Sequence, residues 1–401
     1  MKWNFKLHML VTATLLAGCS NLAIFDDKRV AAPEISAASA QLPFRELPTL
    51  KKAYISAKPA NRGDQISIGE LGKDGGNRDM VLTLAHEIAH NQHGKFDSLL
   101  IAHKNKLLFE SYYLRGRVNL PHFQASATKG WLSLAVGRAI QLGYLTMEDL
   151  HKPLFEFLKQ IDRASYVEGA EIITLDKALS MRSGMSISRD QIEEIEQKAK
   201  NQQGQNHIKT LLEVSPAISP ETQTFNYQRV DPKLVMQVLE VVTPKGAEHF
   251  IKTELLDKLG ITNYRWNDDV SGLPMAPFGS YMTSRDMLKL GILTSNNGKW
   301  DGEQLLPEKY IKKATNRIVH RGEGDIFFTD KNVTKPGYGY YWWQADMQVD
   351  DKTYFTTSAQ GGGGQYVILV GELDLVIVFT AHDRDANTMQ LTAEKLLPAF
   401  R

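Results

Sequence analysis

The sequence predicts an α+β fold, in which an antiparallel sheet formed from N- and C-terminal segments is flanked by helices and carries an inserted, mostly α-helical domain. Two observations lead to this prediction. Short apolar runs typical of strands occur at 98–109 and again at 354–379, near opposite ends of the chain. Between them, apolar residues recur at helical spacing in several segments from 126 to 293. One sheet built from both ends of the chain accounts for this distribution.

The overall composition is that of an ordinary globular protein. The chain has 401 residues, of which 42% are hydrophobic and 23% are charged. Such values argue against a disordered chain and against a polytopic membrane protein. The 47 basic and 46 acidic residues give a formal net charge of +1. A nearly neutral chain has no bulk electrostatic field for a polyanion, so no nucleic-acid partner is expected.

The N-terminus has the layout of a secretory signal. Lys2 and Lys6 precede the apolar run 9–16, which is too short to span a membrane as a helix. The run ends in Leu-Ala-Gly followed by Cys19, the sole cysteine of the chain. This ending resembles the bacterial lipobox, and the resemblance implies that residues 1–18 are a lipoprotein signal peptide and that Cys19 is acylated. The alternatives are a simple signal peptide or a buried cysteine.

The residue after the cysteine bears on the location. Ser20 stands where inner-membrane lipoproteins of enterobacteria tend to have Asp. The resemblance therefore implies an anchor in the bacterial outer membrane, with the protein facing the periplasm. Several acyl chains would hold the protein firmly, since a single chain binds only marginally.

The mature chain divides into a tether and one large domain. Residues 19–78 are predicted to be a tether and an irregular N-terminal segment, because small residues dominate its first part and no apolar periodicity is sustained. The remaining residues, 79–401, are predicted to form one domain. Its sheet part would consist of 79–125 and 280–401, and its helical part of 126–279.

The spacing of apolar residues places individual elements along the chain. The helix at 126–142 is apolar on nearly all sides, so it should be buried in the middle of the domain. The strands at the C-terminus should form an antiparallel meander. Helices are predicted at 80–93, 126–142, from Thr146, from Thr174, and at 189–200, 232–256, 284–293 and 385–399. Strands are predicted at 98–102, 107–109, 354–355, 366–370 and 375–379.

Ser126 and Lys129 form an S-x-x-K pattern, a candidate nucleophile with its base. Two residues three positions apart on a helix lie on the same face. A serine hydroxyl is a weak nucleophile and needs a neighbouring base, and burial disfavours the charged form of a lysine side chain. Because the pair begins an apolar helix, Lys129 is expected in a dry environment. The alternative is a capped helix with an exposed lysine.

The order of several motifs resembles that of the penicillin-recognising serine hydrolases, which have a beta-lactamase/transpeptidase-like fold. Members include class C β-lactamases, D-alanyl-D-alanine peptidases, esterases and 6-aminohexanoate-oligomer hydrolases. The resemblance runs from about Asp79 to the C-terminus. Its motifs are Ser126-x-x-Lys129, then Phe225-Asn226-Tyr227, then the glycine cluster 360–365, together with 97–101, 110–112, 179–185 (similar to the family's LLxMTSGL), 283–287 and 338–343.

Carried over residue by residue, the resemblance implies roles for three side chains. Ser126 would be the nucleophile, Lys129 would take or tune its proton, and Tyr227 would relay the proton to the leaving group. The backbone N–H groups of Ser126 and of one residue in the glycine-rich strand, with Gly362 the best choice, would form the oxyanion hole. Glycine suits that strand because the substrate must approach its backbone closely.

Two departures from the family's motifs bear on the substrate. The Tyr-x-Asn motif is here Tyr227-Gln228-Arg229, and the Lys-Thr-Gly triplet that binds the β-lactam carboxylate is absent. The resemblance therefore favours an esterase or amidase of the 6-aminohexanoate-hydrolase branch over a β-lactamase or peptidase. Arg229 either binds an acidic group or faces solvent.

A second motif, HEIAH at 86–90, has the H-E-x-x-H pattern of zinc enzymes. A catalytic zinc also needs a third ligand, and His93 and Phe96 stand where the metzincin pattern has Gly and His. The alternative is a packing helix whose histidines lie on its outer side. This interpretation predicts no metal site, and the hydrolase interpretation predicts no cofactor.

The sequence therefore predicts a lipid-anchored periplasmic serine hydrolase that cleaves a small-molecule or short-peptide ester or amide through an acyl-enzyme on Ser126. A non-catalytic cell-envelope binding protein with the same fold is one alternative, and a penicillin-binding protein or D-Ala-D-Ala peptidase is another. The predicted partners are the substrate and, through Cys19, the membrane.

Overall fold

The computed structural model describes residues 31–162, 164, 166–198, 202–322, 331–383 and 387–401. Its strands are β1 (Tyr54–Ser56), β2 (Ser67–Ile68), β3 (Phe96–His103), β4 (Lys106–Tyr112), β5 (His122–Phe123), β6 (Arg265–Trp266), β7 (Ser280–Met282), β8 (Lys299–Trp300), β9 (Glu303–Gln304), β10 (Val319–His320), β11 (Val333–Tyr338), β12 (Trp343–Val349), β13 (Lys352–Gly361), β14 (Gln365–Val370) and β15 (Leu375–Ala381). Its α-helices are α1 (Arg78–Ala89), α2 (Thr128–Gln141), α3 (Leu175–Leu179), α4 (Arg189–Gln197), α5 (Gln205–Val214), α6 (Val230–Val242), α7 (Gly246–Phe250), α8 (Ser284–Ser295), α9 (Glu308–Ala314), α10 (Thr388–Leu391) and α11 (Leu397–Phe400).

Strands from both ends of the chain meet in one sheet, and the predicted α+β fold class is confirmed. The strand order is β1-β4-β3-β15-β14-β13-β12-β11-β10, with β2 beside β4. The junction lies between β15 and β3, where Ile377 pairs with Ile101 in an antiparallel ladder. A smaller sheet, β5-β7-β6, carries the segment that precedes Ser126. The C-terminal meander is therefore joined directly to the N-terminal hairpin.

Helices cover both faces of the main sheet. Along β3, Leu100 and Ala102 face the helices from the middle of the chain, whereas Leu99 and Ile101 face α1 and the C-terminal helices. A strand buried on both faces is apolar without alternation, which explains its continuous apolar run. Trp131 in α2 is fully buried, as expected for a helix without a polar face.

Two of the predicted helices are shorter in the structure because of proline. Thr146 and Asp149 form the reciprocal capping contacts that the sequence indicates, but only a single turn follows before Pro153. The helix predicted at 232–256 breaks after α6, where Thr243 precedes Pro244 and takes an extended conformation. The residue before a proline disfavours the helical conformation.

Two further differences from the sequence prediction concern the main sheet. β11 and β12 were not predicted, and Lys335 in β11 has a left-handed φ of 47° where the ladder register shifts. This irregularity removes the alternation by which a strand is recognised. Within the segment predicted to be a tether and an irregular N-terminal segment, residues from Ala32 onward belong to the compact unit, and β1 pairs with β4. Within the described ranges, no helix has the length and apolar character needed to cross a bilayer.

Candidate active site

Ser126 lies in a short 3₁₀ turn that leads directly into α2. The preceding residue, Ala125, has a left-handed φ of 45°, and such strain costs about 1–3 kcal/mol and needs surrounding structure to hold it. β7 provides that support. Ser280 accepts a hydrogen bond from the N–H of Gln124 at 2.9 Å, and its hydroxyl lies 2.9 Å from that of Thr128. Residues on both sides of Ser126 are thus tied to Ser280.

Lys129 is buried, with 3% of its surface exposed. Its Nζ donates to Ser126 Oγ at 3.0 Å, to Tyr227 OH at 3.1 Å and to the carbonyl oxygen of Pro277 at 2.8 Å. All three partners of the amine are oxygen atoms. The structure therefore brings together the three side chains to which the resemblance assigns catalytic roles, and places the amine between the two hydroxyl groups.

Tyr227 lies in a loop that is held on both of its sides. The N–H of Asn226 donates to the carbonyl of Met181 at 2.8 Å. The Tyr227 ring packs 5.2 Å from the ring of Trp343 and edge-on to that of Tyr338 at 6.0 Å. Tyr227 is nevertheless 38% exposed. Its hydroxyl is thus fixed on the buried amine while the ring borders solvent, as a proton relay to a bound substrate requires.

The glycine cluster approaches the turn of Ser126, but only its first glycine belongs to a strand. A β-carbon on Gly361 would lie 2.1 Å from the carbonyl oxygen of Gln124. Gly362 to Gly364 form the turn after β13, so the expectation that Gly362 lies on the strand is wrong. A β-carbon on Gly362 would meet nothing within 4 Å. Its role in the oxyanion hole stays a prediction, supported by its place next to the residue of closest approach.

A buried carboxyl group lies beneath the Tyr227 loop, and the sequence did not point to it. Asp231 accepts hydrogen bonds from the hydroxyl of Ser183 at 2.6 Å and from Gln228 Nε2 at 3.0 Å. Burial raises the pKa of Asp231 from 3.8 to about 7. The position of Ser183 in the 179–185 motif and that of Gln228 next to Tyr227 were the available signals. Asp231 therefore joins two motif segments and helps to position the loop.

Arg229 stands where the family's motif has Asn, and its side chain contacts Phe278 and Glu193. Its guanidinium lies 4.9 Å from the centre of the Phe278 ring, and Nη1 lies 3.6 Å from a carboxylate oxygen of Glu193 in α4. The amide at the middle position, Gln228, is bonded to Asp231 and to the carbonyl of Met185. No side chain of this triplet other than Tyr227 is bonded to Lys129 among the described contacts.

The H-E-x-x-H residues do not converge on a common point in the structure. Glu87 Oε2 pairs with His93 Nε2 at 2.7 Å, and His90 Nδ1 contacts the carbonyl oxygen of His86 at 2.7 Å. Val81, Leu84, Ala85 and Ile88 form the buried side of α1. Within the described part of the chain, the group of side chains able to hold a metal ion lies elsewhere, at Asp97, His122 and His382. Cys19 lies outside the described residues.

Solved structures share this fold at low sequence identity. A Bacillus anthracis protein assigned as a 6-aminohexanoate-dimer hydrolase has 18% identity and a TM-score of 0.62, over 86% of this chain and 90% of its own. EstCE1, a hydrolase with promiscuous acyltransferase activity, has 13% identity and a TM-score of 0.58, over 80% and 97%. A D-stereospecific amidohydrolase from Streptomyces sp. has 13% identity and a TM-score of 0.57, over 78% and 98%.

No curated protein sequence is significantly similar to this one. The family model described as Beta-lactamase, however, matches residues 88–397, which include Ser126, Lys129, Tyr227 and the glycine cluster. Most of the chain is covered by this match. The protein therefore belongs to the beta-lactamase family of hydrolases.

Proposed function

We propose that this hydrolase cleaves an ester or amide bond through an acyl-enzyme on Ser126. The observation that supports the proposal best is the position of Lys129 Nζ, 3.0 Å from Ser126 Oγ and 3.1 Å from Tyr227 OH. A nucleophile, a base and a relay within hydrogen-bond distance of one another form the arrangement that covalent catalysis requires. A binding protein has no need for a buried amine held against a hydroxyl group.

The proposed reaction has two steps, acylation of Ser126 and hydrolysis of the acyl-enzyme. Ser126 Oγ attacks the substrate carbonyl carbon, and its proton passes to the pair formed by Lys129 and Tyr227. Tyr227 delivers a proton to the leaving alcohol or amine as the scissile bond breaks. Water then attacks the acyl-enzyme, its proton follows the same path in reverse to Ser126, and the carboxylic acid leaves. The N–H groups of Ser126 and Gly362 stabilise the oxyanion in both halves.

A small-molecule or short-peptide ester or amide is the proposed substrate class. The family's Lys-Thr-Gly triplet would supply a cation on the strand beside the nucleophile, whereas β13 ends here in the neutral sequence Ser358-Ala359-Gln360 before Gly361. A β-lactam carboxylate would find no lysine there. The 6-aminohexanoate-dimer hydrolase, the acyltransferring hydrolase and the amidohydrolase with the same fold support an ester or amide substrate.

A fluorophosphonate probe tests the proposal on the purified protein. Wild type should be labelled once, and peptide mapping should place the label on Ser126. The Ser126→Ala variant should remain unlabelled, and the surface variant Ser188→Ala should be labelled like wild type. An unlabelled, folded wild type would favour the cell-envelope binding protein. Stable retention of radiolabelled penicillin on Ser126 would instead indicate a penicillin-binding protein.

We also propose a lipid anchor at Cys19, which holds the protein on the outer membrane facing the periplasm. The signal-like residues 1–18 and the Leu-Ala-Gly-Cys ending support it. Growth of a bacterial host with radiolabelled palmitate should label wild type and not Cys19→Ala. The labelled protein should fractionate with the outer membrane. A label that persists in Cys19→Ala, or an unlabelled wild type in the soluble fraction, would contradict the anchor.

A further inference from the structure

Three side chains of the types that bind metal ions come from distant parts of the sequence and meet close to the candidate active site. Asp97 lies in β3, His122 in β5, and His382 directly after β15. Asp97 Oδ2 is 2.8 Å from His382 Nδ1 and 3.3 Å from His122 Nε2, and the two ring nitrogens are 3.1 Å apart. Sequence spacing could not indicate this cluster, because His122 is 25 residues from Asp97 and 260 from His382.

The cluster is shielded on one side and accessible on the other. The side chains of Asp97 and His122 are 3% and 4% exposed, whereas that of His382 is 38% exposed. Phe44 stacks on the His382 ring with a centroid distance of 3.5 Å and meets the His122 ring edge-on at 5.4 Å. An ion would thus have an entry path past His382 and an apolar wall at Phe44.

The guanidinium groups of the nearby arginines form their described hydrogen bonds with backbone carbonyls and not with Asp97. The guanidinium of Arg115 donates to the backbone carbonyls of Leu47 and Arg45, and that of Arg117 donates to those of Leu114, Gly116 and Pro48. Asp97 Oδ1 accepts the backbone N–H of Arg115 at 3.2 Å. Its other oxygen, Oδ2, points to the two histidines. A buried charge requires a partner, and a cation held between the two histidines and Oδ2 would supply one.

Without a cation, the two imidazole nitrogens and the carboxylate oxygen must share protons. His122 Nδ1 lies 3.3 Å from the carbonyl oxygen of Phe123, so its proton belongs on Nδ1 and Nε2 carries a lone pair. A proton on His382 Nδ1 can then be donated to Asp97 Oδ2 at 2.8 Å and to this lone pair at 3.1 Å, while the lone pair also faces Asp97 Oδ2 at 3.3 Å. A cation in place of that proton would let all three atoms act as donors of electron pairs.

We propose that Asp97 Oδ2, His122 Nε2 and His382 Nδ1 bind a divalent transition-metal ion, of which Zn²⁺ suits two imidazoles and a carboxylate best. A point about 1 Å above the plane of these three atoms lies about 2 Å from each of them, the length of Zn–N and Zn–O bonds. A water molecule completes the coordination on the side where His382 is exposed. This site departs from the sequence-based expectation that the chain holds no metal.

The ion would stabilise the backbone around the nucleophile. Gln124 Nε2 donates to the carbonyl of His122 at 2.9 Å, so the first ligand segment continues into the turn of Ser126. After β15, the N–H of Asp383 donates to the carbonyl of Gly363 at 3.1 Å. The metal would therefore connect the segment before Ser126 to the turn that contains Gly362. Its binding does not depend on the proposed hydrolase function.

Calorimetric titration of Zn²⁺ into the chelator-treated, full-length mature protein tests the site. Wild type should bind one ion per chain. Loss of an outer partner of a metal ligand already weakens binding about 10–100-fold, so His382→Ala and His122→Ala should weaken it by about 100-fold or more. The matched control is the double variant His86→Ala/His90→Ala on α1, which should bind Zn²⁺ like wild type.

A second measurement separates binding from folding. Co²⁺ added to wild type should give the visible absorption of a low-symmetry site containing nitrogen ligands, and Zn²⁺ should raise the Tm of wild type and of the α1 double variant but not of His382→Ala. His382 is partly exposed, so this variant should fold. Absence of binding by wild type, or binding that His382→Ala leaves unchanged and the α1 double variant abolishes, would overturn the proposal.

Discussion

The carbonyl oxygen of Gln124 lies 2.1 Å from the place where a β-carbon on Gly361 would stand. The same β-carbon would lie 3.2 Å from the N–H nitrogen of Ala127. The end of β13 therefore touches the backbone on both sides of Ser126, and no residue larger than glycine fits between them. This contact sets the distance between Ser126 and the turn that contains Gly362.

Gly361→Ala should consequently damage both stability and activity. The added methyl must push β13 away from the Ser126 turn, which should cost about 1–3 kcal/mol, and a misplacement of about 1 Å should lower kcat/KM about 100-fold. Gly371→Ala is the matched control, because Gly371 lies in the exposed turn after β14 and its β-carbon meets nothing within 4 Å. Urea unfolding and ester hydrolysis measure both effects. Equal losses in the two variants would argue against the close contact.

Lys129→Met should remove most of the hydrolytic activity while the fold remains. Methionine fills the buried position without a proton acceptor, and general base catalysis contributes about 10²–10⁴-fold to the rate. We expect kcat/KM and the rate of fluorophosphonate labelling to fall together within that range. Lys152→Met, at a surface ion pair with Asp149, should leave both unchanged. Undiminished labelling of Lys129→Met would mean that Ser126 is activated by another group.

Tyr227→Phe should affect substrates according to their leaving groups. An amine or alkyl alcohol needs a proton as it leaves, whereas a nitrophenolate does not. We therefore expect a loss of about 10²-fold or more for amides and alkyl esters and a much smaller loss for a nitrophenyl ester. The control is Tyr144→Phe, at a partly exposed position on the surface. A uniform loss for all leaving groups would indicate that Tyr227 only orients Lys129.

Asp231 should make the protein less stable as the pH rises. The pKa of an Asp side chain is ordinarily 3.8, and in the folded protein that of Asp231 is about 7. Between pH 3.8 and pH 7, the unfolded chain therefore releases a proton that the folded chain keeps. The free energy of unfolding should fall across this window, by about 1.4 kcal/mol per pH unit at most. Above pH 7 the contribution is lost and the curve flattens.

Asp231→Asn provides the comparison for this pH dependence. The variant carries no titrating group at this position. From pH 4.5 to pH 8, the unfolding free energy of wild type should therefore fall relative to that of the variant. Urea denaturation over that pH range measures the two unfolding free energies. The contributions of all other titrating groups cancel in their difference. Parallel curves would show that Asp231 is ionised throughout in the folded protein.

The spacing in the sequence was sufficient to pair Ser126 with Lys129, since a helical turn brings residues three apart onto one face in any fold. It was also sufficient to predict the sheet, because buried strands carry long apolar runs. It could not predict β11 and β12, where an irregular ladder removes that pattern. Nor could it predict that the segment from Ala32 onward packs against the domain, because its anchoring residues are few and irregularly spaced.

Local sequence thus determined many of the elements and the pairing of Ser126, the proposed nucleophile, with Lys129. Tertiary structure decided what surrounds them: the carbonyl of Pro277 as the third acceptor of Lys129, the contact of Gly361 with the Ser126 turn, and the meeting of Asp97, His122 and His382. The physical reason is the separation along the chain of the residues that interact. A helix repeats its geometry every few residues, whereas contacts between distant segments arise only when the complete sheet and its helices are packed together.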